Sequence, residues 1–214
     1  MTEFDTQSRG RSMTRPKVRT VAEADAEQTI AGLTLAFATD PAVRSFYPDP
    51  RDHLTHFPEM MRTQIPSAIA VRSAHCVEGF RAATIWFPPE NSDAEVEAGK
   101  ARRRKMDALI QETACKDGND DLFAALGKMG KFHLDAPHWY LLAIGVDPNH
   151  QNEGLGSLLM KHALPKVDAE GALAFLESSN PRNVPFYLRH GFEVMQVVQV
   201  GTSPTFTLMV REPV

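Results

Sequence analysis

Residues Val146–Leu159 read VDPNHQNEGLGSLL. The stretch leaves an apolar run, HWYLLAIGV (138–146), and enters another with helical spacing, in which Leu155, Leu158, Leu159, Ala163 and Val167 recur. The first run fits a strand buried on both faces, the second an amphipathic helix. Between them stand a proline, two asparagines, a glutamine and the glycines Gly154 and Gly156. A glycine-rich loop feeding a helix N-terminus exposes backbone N–H groups that have no partner inside the helix. The helix dipole adds partial positive charge at the same end. Together they form a cradle for a phosphate that needs no basic side chain.

Elimination narrows the ligand. The dinucleotide fingerprint needs a third glycine where this chain has Leu159. The nucleotide-triphosphate loop needs Gly-Lys followed by Ser or Thr, but Lys128 and Lys131 precede Met129 and Phe132. What remains is Gln151-x-x-Gly154-x-Gly156.

The rest of the chain sets this loop in a mixed α/β domain. Its 214 residues suffice for one well-buried domain. Residues 1–15 are polar and aperiodic and read as a disordered tail, leaving a single domain over 16–214. KVRTV (17–21) reads as a short strand. Helical patterns follow over 22–40, ending before Pro41, and over 51–65, the latter interrupted by Pro58. AIAVRSAHCV (68–77) and FRAATIWF (80–87) read as a hairpin. Two helical patterns, 92–116 and 121–134, precede the apolar strand. After the loop, Pro165 should kink or shorten the helix. ALAFLE (172–177) is a strand, VPFYLRH (184–190) a helix stopped by Gly191, and two closing runs, 192–200 and 205–212, an antiparallel pair. Strand–helix–strand order implies a parallel neighbour, so the sheet is mixed, with about six to seven strands flanked by helices.

Composition excludes several functions. A net charge of −4 with no basic stripe gives no footprint for nucleic acid. The basic cluster KARRRK (100–105) reads as a solvated helix face. The eight histidines show no metal-ligand spacing. Cys76 and Cys115 read as free thiols of a cytoplasmic protein, with no secretion signal or membrane span in view.

A second segment bears on the first. LESSNPRNVPFYLRHGF (176–192) runs from a strand end into a short helix. Asn180 or Asn183 can cap that helix, and Asn183 and Tyr187 share one face of it. The loop and this segment together resemble the two signatures of the GNAT superfamily of acetyl-CoA-dependent N-acetyltransferases. The resemblance runs from about Lys17 to the C-terminus. LAFATDPAVR, TIWFPPE, GVDPNHQ, GLGS, FLESS and PRNVPFY are similar, in that order, to segments of the puromycin N-acetyltransferase branch.

The resemblance implies direct transfer of an acetyl group from acetyl-CoA to the amine of a small molecule, an antibiotic of the puromycin type among them. A non-catalytic acyl-CoA sensor or scaffold and a protein N-terminal or lysine acetyltransferase are the alternatives. It implies Tyr187 as general acid at the CoA sulfur and Ile144, Gly145 and Val146 as contacts to the pantetheine arm and thioester. Gln151, Asn152, Glu153, Gly154, Leu155, Gly156 and Ser157 would hold the pyrophosphate, and Asn183 would bond near the arm. Gly145 reads as a bulge that parts its strand from the next. Glu177 and Glu90 compete for the general base; each reads equally as a surface carboxylate, and a water chain is a third route. Tyr47, Trp86, Phe87 and Trp139 would line an acceptor pocket, although large aromatics also build cores. One departure stands out: the family places glycine or a basic residue where this chain has Asn152-Glu153.

Overall fold

The computed structural model describes residues 16–134 and 136–214; the expected N-terminal tail, 1–15, lies outside the described residues. Along the chain come β1 (Val18–Thr20), α1 (Ala26–Ala36), α2 (Pro41–Phe46), α3 (Pro50–Ala70), β2 (Ala74–Val77), β3 (Ala82–Phe87), α4 (Asp93–Thr113) and α5 (Asp120–Met129). The second half holds β4 (His138–Val146), α6 (Leu155–Ala169), β5 (Leu173–Ser178), α7 (Val184–Leu188), β6 (Glu193–Val198) and β7 (Phe206–Arg211). The strands form one sheet in the order β1-β2-β3-β4-β5-β7-β6. β4 and β5 are parallel, joined through α6, and every other pair is antiparallel. This is the expected mixed α/β architecture.

Period-two alternation divides the side chains between two cores. Ala83, Ile85 and Phe87 of β3 enter a core built with α1 to α5. Trp86 of the same strand faces the other way, with Trp139, Leu141, Met160 and Tyr187 under α6 and α7. Leu142 interrupts the alternation. Ile85 pairs with Ala143 and Trp86 with Leu141, so Leu142 is an extra residue in β4. Leu142 and Ala143 consequently both face the first core.

That bulge, and not Gly145, is where β4 changes course. Gly145 meets a different demand: a Cβ there would lie 2.6 Å from the Cβ of Ala36 and 3.1 Å from Cδ2 of Leu33. The glycine lets α1 lie against the strand. Beyond Leu141, which pairs with Leu176, β4 has no further β5 partner, while β5 continues along β7 to Ser178. The two strands therefore part over residues 142–146 of β4.

Three local readings change. α3 is continuous through both Pro58 and Pro66, and α6 through Pro165. Each ring removes one ladder hydrogen bond, and burial on the inner faces of these helices offsets the loss. α3 also takes Ala68–Ala70 from the expected strand, because Ala68 is fully buried on its inner face. Cys76 is buried and Cys115 partly so, both as free thiols. Among the described residues, no helix is long and apolar enough to cross a membrane and no cluster of side chains could hold a metal ion.

Candidate active site

The loop after β4 is shaped by three backbone devices. Asp147 caps a short turn by accepting from the Asn149 amide at 2.8 Å. Asn152 has φ +64 and Gly154 φ +79, both left-handed. Asparagine is among the few side chains that tolerate that region, which accounts for an asparagine at position 152. Among the described residues, no backbone N–H from Gln151 to Ser157 has a carbonyl partner; Leu158, bonded to the Gly154 carbonyl, is the first that does. A Cβ on Gly154 would meet nothing within 4 Å, so the loop is open on that side. A run of unpartnered N–H groups at the N-terminus of a 15-residue helix fits a pyrophosphate.

Glu153 does not point into that run. Its carboxylate lies against Nδ1 of His150, at 3.2 and 3.3 Å, and is half exposed. Leu155 is buried against Val77, Ala82 and Leu159 and anchors the first turn of α6. Gly156 lets Phe186 close on that turn: a Cβ would sit 3.3 Å from its ring. The Ser157 hydroxyl is engaged by Nε2 of His190 at 3.0 Å, which ties α6 to the segment after α7.

In the second signature the Asn180 side chain accepts from the Arg182 amide, whereas Asn183 makes no side-chain cap bond and is exposed. The two asparagines are thereby told apart: one builds the turn and the other remains available. Tyr187 is buried, with its ring edge-on to Phe186 and Phe192. Among the described residues its hydroxyl has no hydrogen bond. Burial, with the nearby Asp40 carboxylate, raises its pKa above the ordinary phenol value.

A cavity of about 820 Å³ lies on the α1–α5 side of the sheet. Glu177 lines it and accepts from the Tyr140 hydroxyl at 3.0 Å. Burial pushes the Glu177 carboxyl up, opposed by the Tyr140 bond. Tyr140 is in turn pushed well above its usual value by burial and by the Glu177 charge. Glu90 also lines the cavity, but it is held by Arg103 at 3.0 Å and packs into the gap left by Gly99 on α4. Its carboxylate serves as a clamp between the loop after β3 and α4.

Of the four aromatics expected in an acceptor pocket, only Phe87 lines this cavity. Trp86 and Trp139 face the opposite side of the sheet, where alternation along their strands sends them. The Trp139 indole donates to Glu170 at 2.7 Å. Tyr47 is fully buried, with its hydroxyl on Thr113 at 2.9 Å, and helps fasten the segment after α2 to α4.

Sequence reasoning missed four residues. Asp40 caps α2 through the Ala42 and Val43 amides, and its other oxygen accepts from the Ser179 hydroxyl at 2.6 Å. Burial pushes its carboxyl up, opposed by the Ser179 bond. This pair fixes the α1–α2 corner to the turn after β5, close to Tyr187. The Asp-Pro dipeptide signals a helix cap but not the partner 139 residues away. Tyr140 was hidden inside an apolar run. Arg102 was read as part of a solvated face, yet it is 8% exposed and lines the cavity.

Comparison with known proteins agrees with this geometry. Residues 80–192 match the model of the Acetyltransferase (GNAT) family. An uncharacterized N-acetyltransferase of Schizosaccharomyces pombe is 32% identical over 82 residues, which cover 37% of this chain and 33% of that protein. An uncharacterized N-acetyltransferase of Bacillus subtilis is 34% identical over 67 residues, 31% of this chain and 47% of that one. The matched stretches thus span about a third to a half of these relatives. Among solved structures, a Corynebacterium glutamicum protein described as histone acetyltransferase HPA2 and related acetyltransferase has a TM-score of 0.66 at 19% identity, covering 93% of this chain and 97% of that one. Arylalkylamine N-acetyltransferase 2 of Aedes aegypti has a TM-score of 0.65 at 11% identity, covering 93% and 99%. At those identities the likeness is one of fold. With more than half its length matched by the family model, the chain belongs to the GNAT family of acetyltransferases.

Proposed function

We propose that the protein transfers an acetyl group from acetyl-CoA to the amine of a small molecule, with Tyr187 as general acid and Glu177 as general base. The observation that carries this reading is the Tyr187 hydroxyl. A buried tyrosine ordinarily finds a hydrogen-bond partner. This one has none among the described residues, and its hydroxyl is not among the sealed-off unpartnered atoms, which belong to His53, His75 and Trp86.

The residues divide the work. The amides of Gln151–Ser157 hold the pyrophosphate, and Asn183 bonds the arm beyond it. Where β4 leaves β5, the backbone of Ile144–Val146 has an edge that β5 does not cover. Those groups orient the arm and offer an N–H to the developing oxyanion. Glu177 takes a proton from the incoming ammonium, and its raised pKa suits it to that role near neutral pH. Tyr187, held protonated by burial, gives a proton to the departing thiolate. Direct attack needs no enzyme nucleophile, and the two thiols play no part.

The cavity size admits a drug-sized amine. Puromycin, the acceptor implied by the branch resemblance, belongs in the first panel. The deciding experiment follows thiol release from acetyl-CoA with puromycin, polyamines and aminoglycosides, beside calorimetric titration of CoA. Turnover on any small amine supports transfer. CoA binding without turnover on any amine would replace the enzyme by an acyl-CoA sensor.

A further inference from the structure

The cations at the cavity are not alike. Lys100 pairs with Glu97 at 2.8 Å, and Arg103 with Glu90. Arg102, though buried, has no carboxylate partner among the described residues. Its guanidinium carbon lies 3.3 Å from the centroid of the Phe87 ring, and Nη1 donates to Oε1 of Gln64 at 2.8 Å. Nε and Nη2 donate to nothing among the described residues, yet neither is sealed off from the cavity. A buried cation without a counter-charge is costly, so a carboxylate supplied by a ligand would be favoured there.

The free atoms are the informative ones. Nε–H and Nη2–H form one edge of the guanidinium, two parallel donors in the plane of the group. That edge matches the two oxygens of a carboxylate. Stacking on Phe87 fixes the plane, and Gln64 fixes rotation within it. The other lining residues include Phe37, Phe46, Phe57 and Met106, with the carboxylates of Glu90 and Asp107 beside them. Glu177 lies in the same cavity, where an amine is received.

Resting on the acetyl-transfer reading above, we propose that Arg102 anchors a carboxylate on the acceptor, and that the acceptor is an aromatic amine bearing an acid group, of the aromatic amino acid class. The guanidinium remains charged at neutral pH even though burial pulls its pKa down to about 10.

The test compares acid and acid-free members of matched pairs by calorimetry on the full chain: L-phenylalanine with phenethylamine, and 4-(aminomethyl)benzoate with benzylamine. The acid of at least one pair should bind roughly ten- to a hundredfold tighter, the range of a charge-assisted bidentate contact. Arg102→Met should bring that pair near parity and leave the bare amine unchanged. Arg102→Lys, which keeps the charge and the packing stem, should retain part of the preference, and it answers the question if the Met variant fails to fold. Equal binding within both pairs, absence of binding by all four compounds, or an equal loss for acid and bare amine in the variants would overturn the assignment. Thiol release is measured separately with the same compounds. Tight binding of an acid without thiol release would remove acetyl transfer and leave the anchor standing.

Discussion

The loop after β4 and the cavity on the α1–α5 side of the sheet are both proposed here to bind, but they are made of different materials. The loop is one contiguous run whose working parts are backbone amides, set by two left-handed residues and a helix start. The cavity is made of side chains from α2 to α5, β3, β4 and β5, with Phe37 just after α1, brought together only by the fold. Contiguous backbone chemistry leaves a spacing in the sequence. Convergent side-chain chemistry leaves none.

Tyr187, buried under α6 and α7, gives the largest expected effect. Tyr187→Phe removes the only proton donor proposed for the thiolate, and kcat should fall by about 10²–10⁴-fold with CoA affinity nearly unchanged. Steady-state kinetics beside a CoA titration separates the two quantities. A near-normal kcat would take Tyr187 out of the general-acid role and leave the loop as a binding device alone.

Glu177→Gln probes the cavity side. In the wild type kcat/KM should rise with pH through a pKa above the usual carboxylate range, because a base works only when ionised and burial holds this one neutral to higher pH. Activity is present above that pKa and lost as pH falls through it. The Gln variant should lose that rising limb and about 10²-fold in rate. A variant that keeps the limb would place the base elsewhere, with Asp40, buried and near Tyr187, the next residue to examine.

The same contrast explains what the sequence could reveal. The order of strands and helices, the loop and the short helix that carries Tyr187 were legible because each rests on local periodicity or local turn chemistry. Trp86 and Trp139 were misplaced because an aromatic residue in a strand announces burial without announcing which face. Leu142 decides the face for the rest of β4, and an extra residue inside an unbroken apolar run has no signature. Arg102 was misread because a charge run on a helix shows no break where one turn passes under a neighbour. Asp40 and Ser179 meet across 139 positions, a distance no motif spans.

Gly145 belongs to the strand shared by both features. Gly145→Ala should cost about 1–3 kcal/mol of stability, since the added methyl must displace α1. Denaturant titration measures it. A neutral result would mean that α1 moves freely from β4, and the parting of the strands would then depend on the Leu142 bulge alone.

The smallest expected effect concerns Glu153. Its carboxylate stands beside a cradle for a dianion, but it is half exposed and turned to His150. Water and salt screen its repulsion, so the penalty is modest. Glu153→Lys reverses the sign at the same place and should tighten CoA binding by roughly two- to tenfold at low salt, with the gain shrinking as salt is added. Glu153→Gln should give less than half of that gain, expressed as free energy, because it removes repulsion without adding attraction. If Lys leaves the dissociation constant unchanged, the cradle is governed by its amides alone, and the Asn152-Glu153 pair is explained wholly by the left-handed turn at Asn152.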